Sequence, residues 1–86
     1  MTFVVFSKDN CTFCEQAKAL LNSKGYDWKE NKLDVDFSRE ELIEMFPHAR
    51  TFPQVSLVGE TNQHIGGFEE LKAWIAHRDA VQGLEL

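Results

Sequence analysis

No stretch of this sequence approaches the ~20 apolar residues that a helix needs to cross a bilayer, so a helical membrane protein is not expected. The opening run Thr2-Phe3-Val4-Val5-Phe6 is too short for a secretory signal and has no basic segment before it. We therefore expect no export leader and place the chain in the reducing cytosol, that of a host cell if the chain is viral. Basic residues are sparse and scattered: nine Lys and Arg stand against fourteen Asp and Glu, a net charge of -5 and a pI near 5.0. A nucleic-acid reader carries a basic patch. None is visible, so no nucleic-acid partner is expected, and the acidity is read as serving solubility.

Cysteine is scarce as well. There are two, Cys11 and Cys14, in a C-x-x-C pair. Secreted mini-domains carry more cysteines at wider spacing. The loop between these two is so short that a bridge would restrict the unfolded chain little. The pair is therefore read as chemistry, not as scaffolding.

What is present is the composition of an ordinary folded domain. The hydrophobic share is 43% and the charged share 27%, with seven Phe and two Trp. A chain of 86 residues suits a single domain over 1–86 with a modest core and marginal stability.

Along the chain, strands and helices alternate. Thr2 to Ser7 is a β-branched and aromatic run, suited to a strand buried on both faces. Ser7 to Asn10 is turn chemistry. A helix is predicted from Thr12 to Lys24, with Thr12 and Glu15 as a capping box and Phe13, Ala17, Leu20 and Leu21 at helical spacing. Gly25 suits the left-handed position beyond its end. Asp27 to Asp34 reads as a more polar strand near a sheet edge. Ser38 and Glu41 form a second capping box, opening a helix with Leu42, Ile43, Met45 and Phe46 that stops at Pro47. Gln54 to Val58 is a third strand, Gly59 to Asn62 a turn, and Gln63 to Ile65 a short fourth strand. Gly66-Gly67 leads into a helix with Phe68, Leu71, Trp74 and Ile75 on one face. The tail from Ala80 to Leu86 is ambiguous. The order β-α-β-α-β-β-α predicts a parallel first pair and a closing hairpin. The fold class is α/β, thioredoxin-like, with a four-stranded mixed sheet flanked by three helices. Phe3, Val5, Leu20, Leu21, Leu42, Phe46, Val55, Leu57, Leu71 and Trp74 are read as core, with Trp28 partly exposed.

The C-x-x-C falls where the first strand gives way to the first helix. Unpaired N–H groups and the positive end of the helix dipole lie there. Both favour a thiolate at Cys11, and Lys8 adds positive charge nearby. A thiolate is the form that attacks a disulfide. Cys14, one turn further in, is the resolving thiol. A structural zinc site wants four ligands, but there is no second pair, and His48, His64 and His77 are too far apart in sequence to supply one. The three histidines are assigned no function. Two inert buried cysteines would have no reason to stand at a helix start. An iron–sulfur cluster shared between two chains stays open as an alternative.

Three separated motifs, Lys8-Asp9-Asn10-Cys11-Thr12-Phe13-Cys14, Arg50-Thr51-Phe52-Pro53-Gln54-Val55 and Ile65-Gly66-Gly67-Phe68-Glu69-Glu70-Leu71, resemble those of the glutaredoxins in their order. The resemblance spans nearly the whole chain. It implies a glutathione-dependent thiol–disulfide oxidoreductase, with glutathione as co-substrate and no resident metal. Its implied partners are glutathione and disulfide-containing or glutathionylated proteins, ribonucleotide reductase among them, and its implied state is a monomer. It implies a cis bond before Pro53, with the backbone N–H and C=O of Phe52 presented beside Cys11 to pair with a substrate like an added strand, and with Thr51 in the same binding segment. It also implies that the N–H groups of Phe68 and Glu69, reached past Gly67, hold the γ-glutamyl carboxylate. The Glu69 side chain then faces the amine, and Lys8, with Arg39 or Arg50, meets the glycyl carboxylate. Glu70 is read as dipole compensation. Phe13 stands where the family usually has Tyr and can flank the bound peptide. Thr12 stands where dithiol members commonly have Pro, a departure that favours the alternative of a homodimer bridging a [2Fe–2S] cluster through Cys11 and glutathione.

Overall fold

The computed structural model describes residues 1–83. Its elements are β1 (Thr2–Ser7), α1 (Thr12–Ser23), β2 (Trp28–Lys32), α2 (Arg39–Met45), β3 (Gln54–Val58), β4 (Gln63–Gly66) and α3 (Phe68–Gly83). The strands form one mixed sheet in the order β2-β1-β3-β4. β1 pairs in parallel with β2 and antiparallel with β3, and β3 pairs antiparallel with β4. The expected architecture is thus present, with the polar strand β2 at an edge. Residues 84–86 of the ambiguous tail lie outside the described residues; Ala80 continues α3.

β1 is the element around which the core divides. Successive side chains of a strand point to opposite faces. Phe3 and Val5 join Ala17, Leu21, Val55, Leu57, Leu71 and Ile75 on the side of α1 and α3. Val4 and Phe6 join Phe37 and Leu42 on the side of α2. A strand buried on both faces cannot alternate with polar residues, hence the unbroken apolar run. The Phe3 ring meets Tyr26 and Trp74 edge-on, each at 5.3 Å between centroids. Phe6 does the same with Phe37 at 5.2 Å and Phe46 at 5.4 Å.

Several local expectations are corrected. The N-cap of α1 is Cys11, not Thr12: the Cys11 sulfur accepts the Cys14 N–H. The Glu15 carboxylate turns instead to Lys18. Ile43 and Met45 are exposed, because α2 is a short helix lying on the sheet and only Leu42 and Phe46 face inward. Leu20, Phe46 and Trp74 are half-buried, packed against the core without being enclosed by it. Phe13 is 55% exposed although it shares a helix face with Ala17, because it stands in the first turn of α1 with its ring beside Phe68. β2 is shorter than Asp27–Asp34 at its far end because Asp34 turns to a φ of +66°, although Leu33 still donates its N–H to the Ser7 carbonyl at 2.9 Å and bridges to Phe37. Other signals translate directly. Ser38 and Glu41 make both bonds of their capping box, at 2.8 and 3.1 Å. Gly25 takes a φ of +76° after α1. Phe46 leaves helical geometry ahead of Pro47.

One polar cluster ties β1, β2 and α1 together. Ser7 is fully buried, and its hydroxyl donates to Glu30 Oε2. The same oxygen accepts from Lys18 Nζ at 2.9 Å. The Ser7 hydroxyl and the Lys18 ammonium hold the Glu30 carboxyl below the usual carboxylate range. A carboxylate with a lowered pKa in the folded state stabilises the fold above its unfolded pKa, and that stabilisation is lost as pH falls through the folded value. Glu30→Gln should therefore flatten the acid limb of the stability curve below pH 4.5, the ordinary value of this group. At neutral pH the substitution should cost roughly 1 kcal/mol. Urea midpoints of both proteins between pH 7 and pH 3 check this, and parallel curves would contradict it. In the core, Phe3→Ala should cost about 3–5 kcal/mol, most of the stability of so small a domain. Val35→Ala, at a side chain 76% exposed, should stay within about 0.5 kcal/mol. The same denaturation assay separates the two.

Candidate active site

Where β1 ends, Asn10 takes a φ of +53°, a left-handed turn that asparagine tolerates better than most residues. A 2.8 Å ion pair between Asp9 and Lys32 fastens this loop to the end of β2. The turn delivers Cys11 to the N-cap of α1 in extended geometry. Its sulfur lies 3.1 Å from the Cys14 nitrogen, and its carbonyl accepts the Glu15 N–H at 3.2 Å. The two cysteines are joined as a disulfide, with their Cα atoms 5.2 Å apart. This is the oxidised form of a dithiol. The two sulfurs are not equivalent: Cys14 is fully buried, whereas Cys11 is half-buried. Only Cys11 is open to an outside partner.

Two depressions flank the pair. A charged cleft on one side is lined by Lys8, Asp9, Asn10, Cys11, Glu30 and Lys32, among others. On the other side a groove of about 210 Å³ is lined by Phe13, Thr51, Phe52, Gly67, Phe68, Glu69 and Glu70. The groove draws on three segments distant in sequence: the first turn of α1, the loop before β3, and the start of α3. The Phe13 and Phe68 rings stand 5.8 Å apart, tilted by 31°. Phe52 forms another wall, with Lys8 Nζ 5.8 Å from its ring centre. The Phe52–Pro53 peptide bond is cis, and Pro53 is fully buried.

The start of α3 comes close to this loop because it begins with glycine. A methyl group on Gly67 would stand 3.1 Å from Glu70 Oε1 and 3.6 Å from the Pro53 carbonyl oxygen. Gly66 takes a φ of +122°, a region that other residues rarely enter. Gly67 acts as the N-cap: its carbonyl accepts the Leu71 N–H at 3.0 Å and its own N–H donates to Glu70 Oε1 at 2.7 Å. Glu70 thus makes a specific bond beyond simple dipole compensation. A glycine cap has no side chain to satisfy the first helical N–H groups. Those of Phe68 and Glu69 are directed outward from the helix start.

The remaining sequence-predicted residues are placed as follows. The Glu69 carboxylate pairs with Lys72 at 3.1 Å on the exposed surface. Arg50 lines a depression behind the Thr51 loop, with Gln54, His64 and Gly67. Arg39 opens α2, and no described side-chain bond draws it to the groove. Sequence reasoning missed two residues that bear on the loop. Gln54 is buried and His64 lies beside it in the neighbouring strand, hydrogen-bonded at 2.7 Å. No local pattern announces this pair, since the two meet only through the β3–β4 hairpin; a polar Gln directly after a buried Pro was the available hint. Among the described residues, no helix is long and apolar enough to cross a membrane, and no cluster of three or more His, Cys, Asp or Glu could hold a metal ion.

Comparison with known proteins agrees with this geometry. The glutaredoxin family model matches residues 3–61. Glutaredoxin 3 of Escherichia coli K12 is 39% identical over 70 residues, covering 80% of each chain. A probable glutaredoxin of Synechocystis is 33% identical over 70 residues, covering 80% of this chain and 76% of its own. Among solved structures, reduced Escherichia coli glutaredoxin superposes with a TM-score of 0.71 at 26% identity, covering 90% of this chain and 95% of its own. The buckwheat glutaredoxin–glutathione complex superposes with a TM-score of 0.67 at 30% identity, covering 91% of this chain and 69% of its own. With its C-x-x-C pair at the start of α1 and its thioredoxin-like sheet, the chain belongs to the glutaredoxin family of thiol–disulfide oxidoreductases.

Proposed function

We propose that the chain is a glutathione-dependent oxidoreductase that reduces protein disulfides and glutathione mixed disulfides in the cytosol, with ribonucleotide reductase one candidate client. The observation that carries the reading is the groove. Phe13, Thr51, Phe52, Gly67, Phe68 and Glu69 come from three separated segments and line one depression beside the thiol pair. The solved complex of a relative 30% identical to this chain contains glutathione.

The chemistry follows from the positions of the two sulfurs. In the dithiol form the Cys11 sulfur keeps the Cys14 N–H as a donor and faces the positive end of the α1 dipole, both of which stabilise negative charge on it. It attacks the glutathione sulfur of a mixed disulfide. The partner leaves as a thiolate and takes a proton from water, and a Cys11–glutathione disulfide remains. A second glutathione thiolate then attacks the glutathione sulfur, giving oxidised glutathione and free Cys11. Alternatively, the Cys14 thiol loses its proton and attacks Cys11, expelling glutathione and forming the Cys11–Cys14 disulfide seen here. Two further glutathione molecules return that disulfide to the dithiol. In the groove, the γ-glutamyl carboxylate sits on the Phe68 and Glu69 N–H groups and the glutathione backbone pairs with that of Phe52, beside Thr51. The Glu69 carboxylate faces the amine, and Lys8 faces the glycyl carboxylate.

Glutathione-coupled reduction of a small glutathione mixed disulfide tests the roles. Cys11→Ser should lose activity at least a thousandfold, while Cys14→Ser, which needs only the first route, should keep the same order of activity as the parent. Activity surviving in Cys11→Ser would refute the assignment of the nucleophile. An inactive parent would refute glutathione as the donor.

A second reading rests on Thr12, which leaves the first helical position without the constraint of proline. A homodimer could then bridge a [2Fe–2S] cluster through Cys11 of each chain and two glutathione thiols. Anaerobic reconstitution with iron, sulfide and glutathione decides it: a coloured dimer lost in Cys11→Ser supports the cluster, and a colourless monomer removes it.

A further inference from the structure

The wall of the groove formed by Thr51 and Phe52 is tied from behind by a chain of contacts that takes no part in the chemistry. Gln54 Nε2 donates to the Thr51 carbonyl at 2.8 Å. Gln54 Oε1 meets His64 Nε2 at 2.7 Å. The His64 ring lies flat on Phe46, with centroids 4.0 Å apart and planes tilted by 20°. Phe46 in turn packs against Phe6 of β1.

The donor and acceptor roles are forced. A carbonyl only accepts, so Thr51 requires the amide nitrogen of Gln54. The amide oxygen must then face His64, and His64 must carry its proton on Nε2. Gln54 is 5% exposed and His64 lies at the surface, so the imidazole is the group that meets this buried oxygen. Without that donor, the Gln54 oxygen loses its partner, and the amide is held at its Thr51 end alone.

We propose that His64 and Gln54 are positioning residues, a relay anchored on Phe46 that fixes the Thr51 carbonyl and so sets the groove wall against which the substrate backbone pairs. The inference rests on the reading of that groove as the glutathione site. Neither residue touches the reacting sulfurs, so binding should suffer and the thiol chemistry should not.

Three variants test the relay in the full chain. His64→Phe keeps a ring to stack on Phe46 and removes the donor. His64→Gln restores an N–H donor at similar reach without the ring. Gln54→Met removes the relay itself. In the glutathione-coupled reduction of the mixed disulfide of cysteine and glutathione, His64→Phe should raise KM about fivefold, the scale of one lost hydrogen bond. Its kcat and the rate at which iodoacetamide alkylates Cys11 should stay unchanged. His64→Gln should recover most of the loss. The double variant of His64→Phe and Gln54→Met should be no worse than Gln54→Met alone, because the two act through one bond. Amide hydrogen exchange at Thr51 and Phe52, which needs no glutathione, should quicken several-fold more in His64→Phe than exchange at the β1 amides, which follows global stability.

An unaltered KM together with unaltered exchange in His64→Phe overturns the relay. So does a His64→Gln variant as impaired as His64→Phe. Should the parent protein fail to turn over glutathione, the groove reading falls, and the exchange measurement alone decides whether the relay holds the loop.

Discussion

Burial of β1 on both of its faces is the constraint on which the rest of the structure depends. Phe3 and Val5 are enclosed by α1 and α3, and Val4 and Phe6 by α2 and the Phe37 region. A strand held from both sides fixes the position of its end at Ser7, and the short loop over 8–10 leads from there to Cys11. The Asn10 turn and the Asp9–Lys32 pair carry that fixed position into the loop. The redox sulfur is thereby set at the cap of a helix, where the backbone donors and the dipole both favour negative charge.

Burial then separates the two cysteines into distinct roles without any difference in their chemistry. Cys14 lies one turn into a helix whose inner face carries Ala17 and Leu21, so it is enclosed with them. Cys11 caps the same helix and stays open to one side. An outside disulfide can reach only the second of these sulfurs. The enclosed one can act only after Cys11 has been engaged, and the Cα separation of 5.2 Å keeps it within bonding reach.

The groove beside this pair depends on close approach of backbones. A glycine at position 67 lets the start of α3 come against the Pro53 carbonyl, and the positive φ of Gly66 turns the chain into that helix. The walls are aromatic, from Phe13, Phe52 and Phe68, with Thr51 and Gly67 between them. Aromatic side chains lose little rotational freedom on ordering and exclude water from the polar contacts between them. The charged groups sit at the rim: Lys8 over Phe52, Lys72 over Phe68 and paired with Glu69. Such rim charges are exposed and screened, and act more on approach and orientation than on stability.

Much of this was legible in the sequence because its causes are local. The apolar run of β1, the Ser38–Glu41 capping box, the glycine after α1 and the position of C-x-x-C at a strand-to-helix junction each follow from the residues concerned and their immediate neighbours. The alternation of elements then allows few sheet orders. Where local signals competed, the sequence misled. Thr12 and Glu15 have the spacing of a capping box, but the sulfur of Cys11 took the cap and Lys18 took Glu15. Leu42 and Phe46 are read as core without Ile43 and Met45, and a seven-residue helix does bury only that narrow stripe, with Phe46 half-buried at its end. Tertiary structure alone decided what no neighbour in sequence could announce. Ser7, Glu30 and Lys18 meet because three elements converge, Gln54 and His64 meet across a hairpin, and Glu70 reaches back to cap its own helix at the edge of the groove. The sequence by itself determined the elements and the identity of the reactive pair, since propensity and thiol chemistry belong to single residues and short spacings. The shape of the groove depended on packing, because contacts between distant segments exist only once the core has placed them.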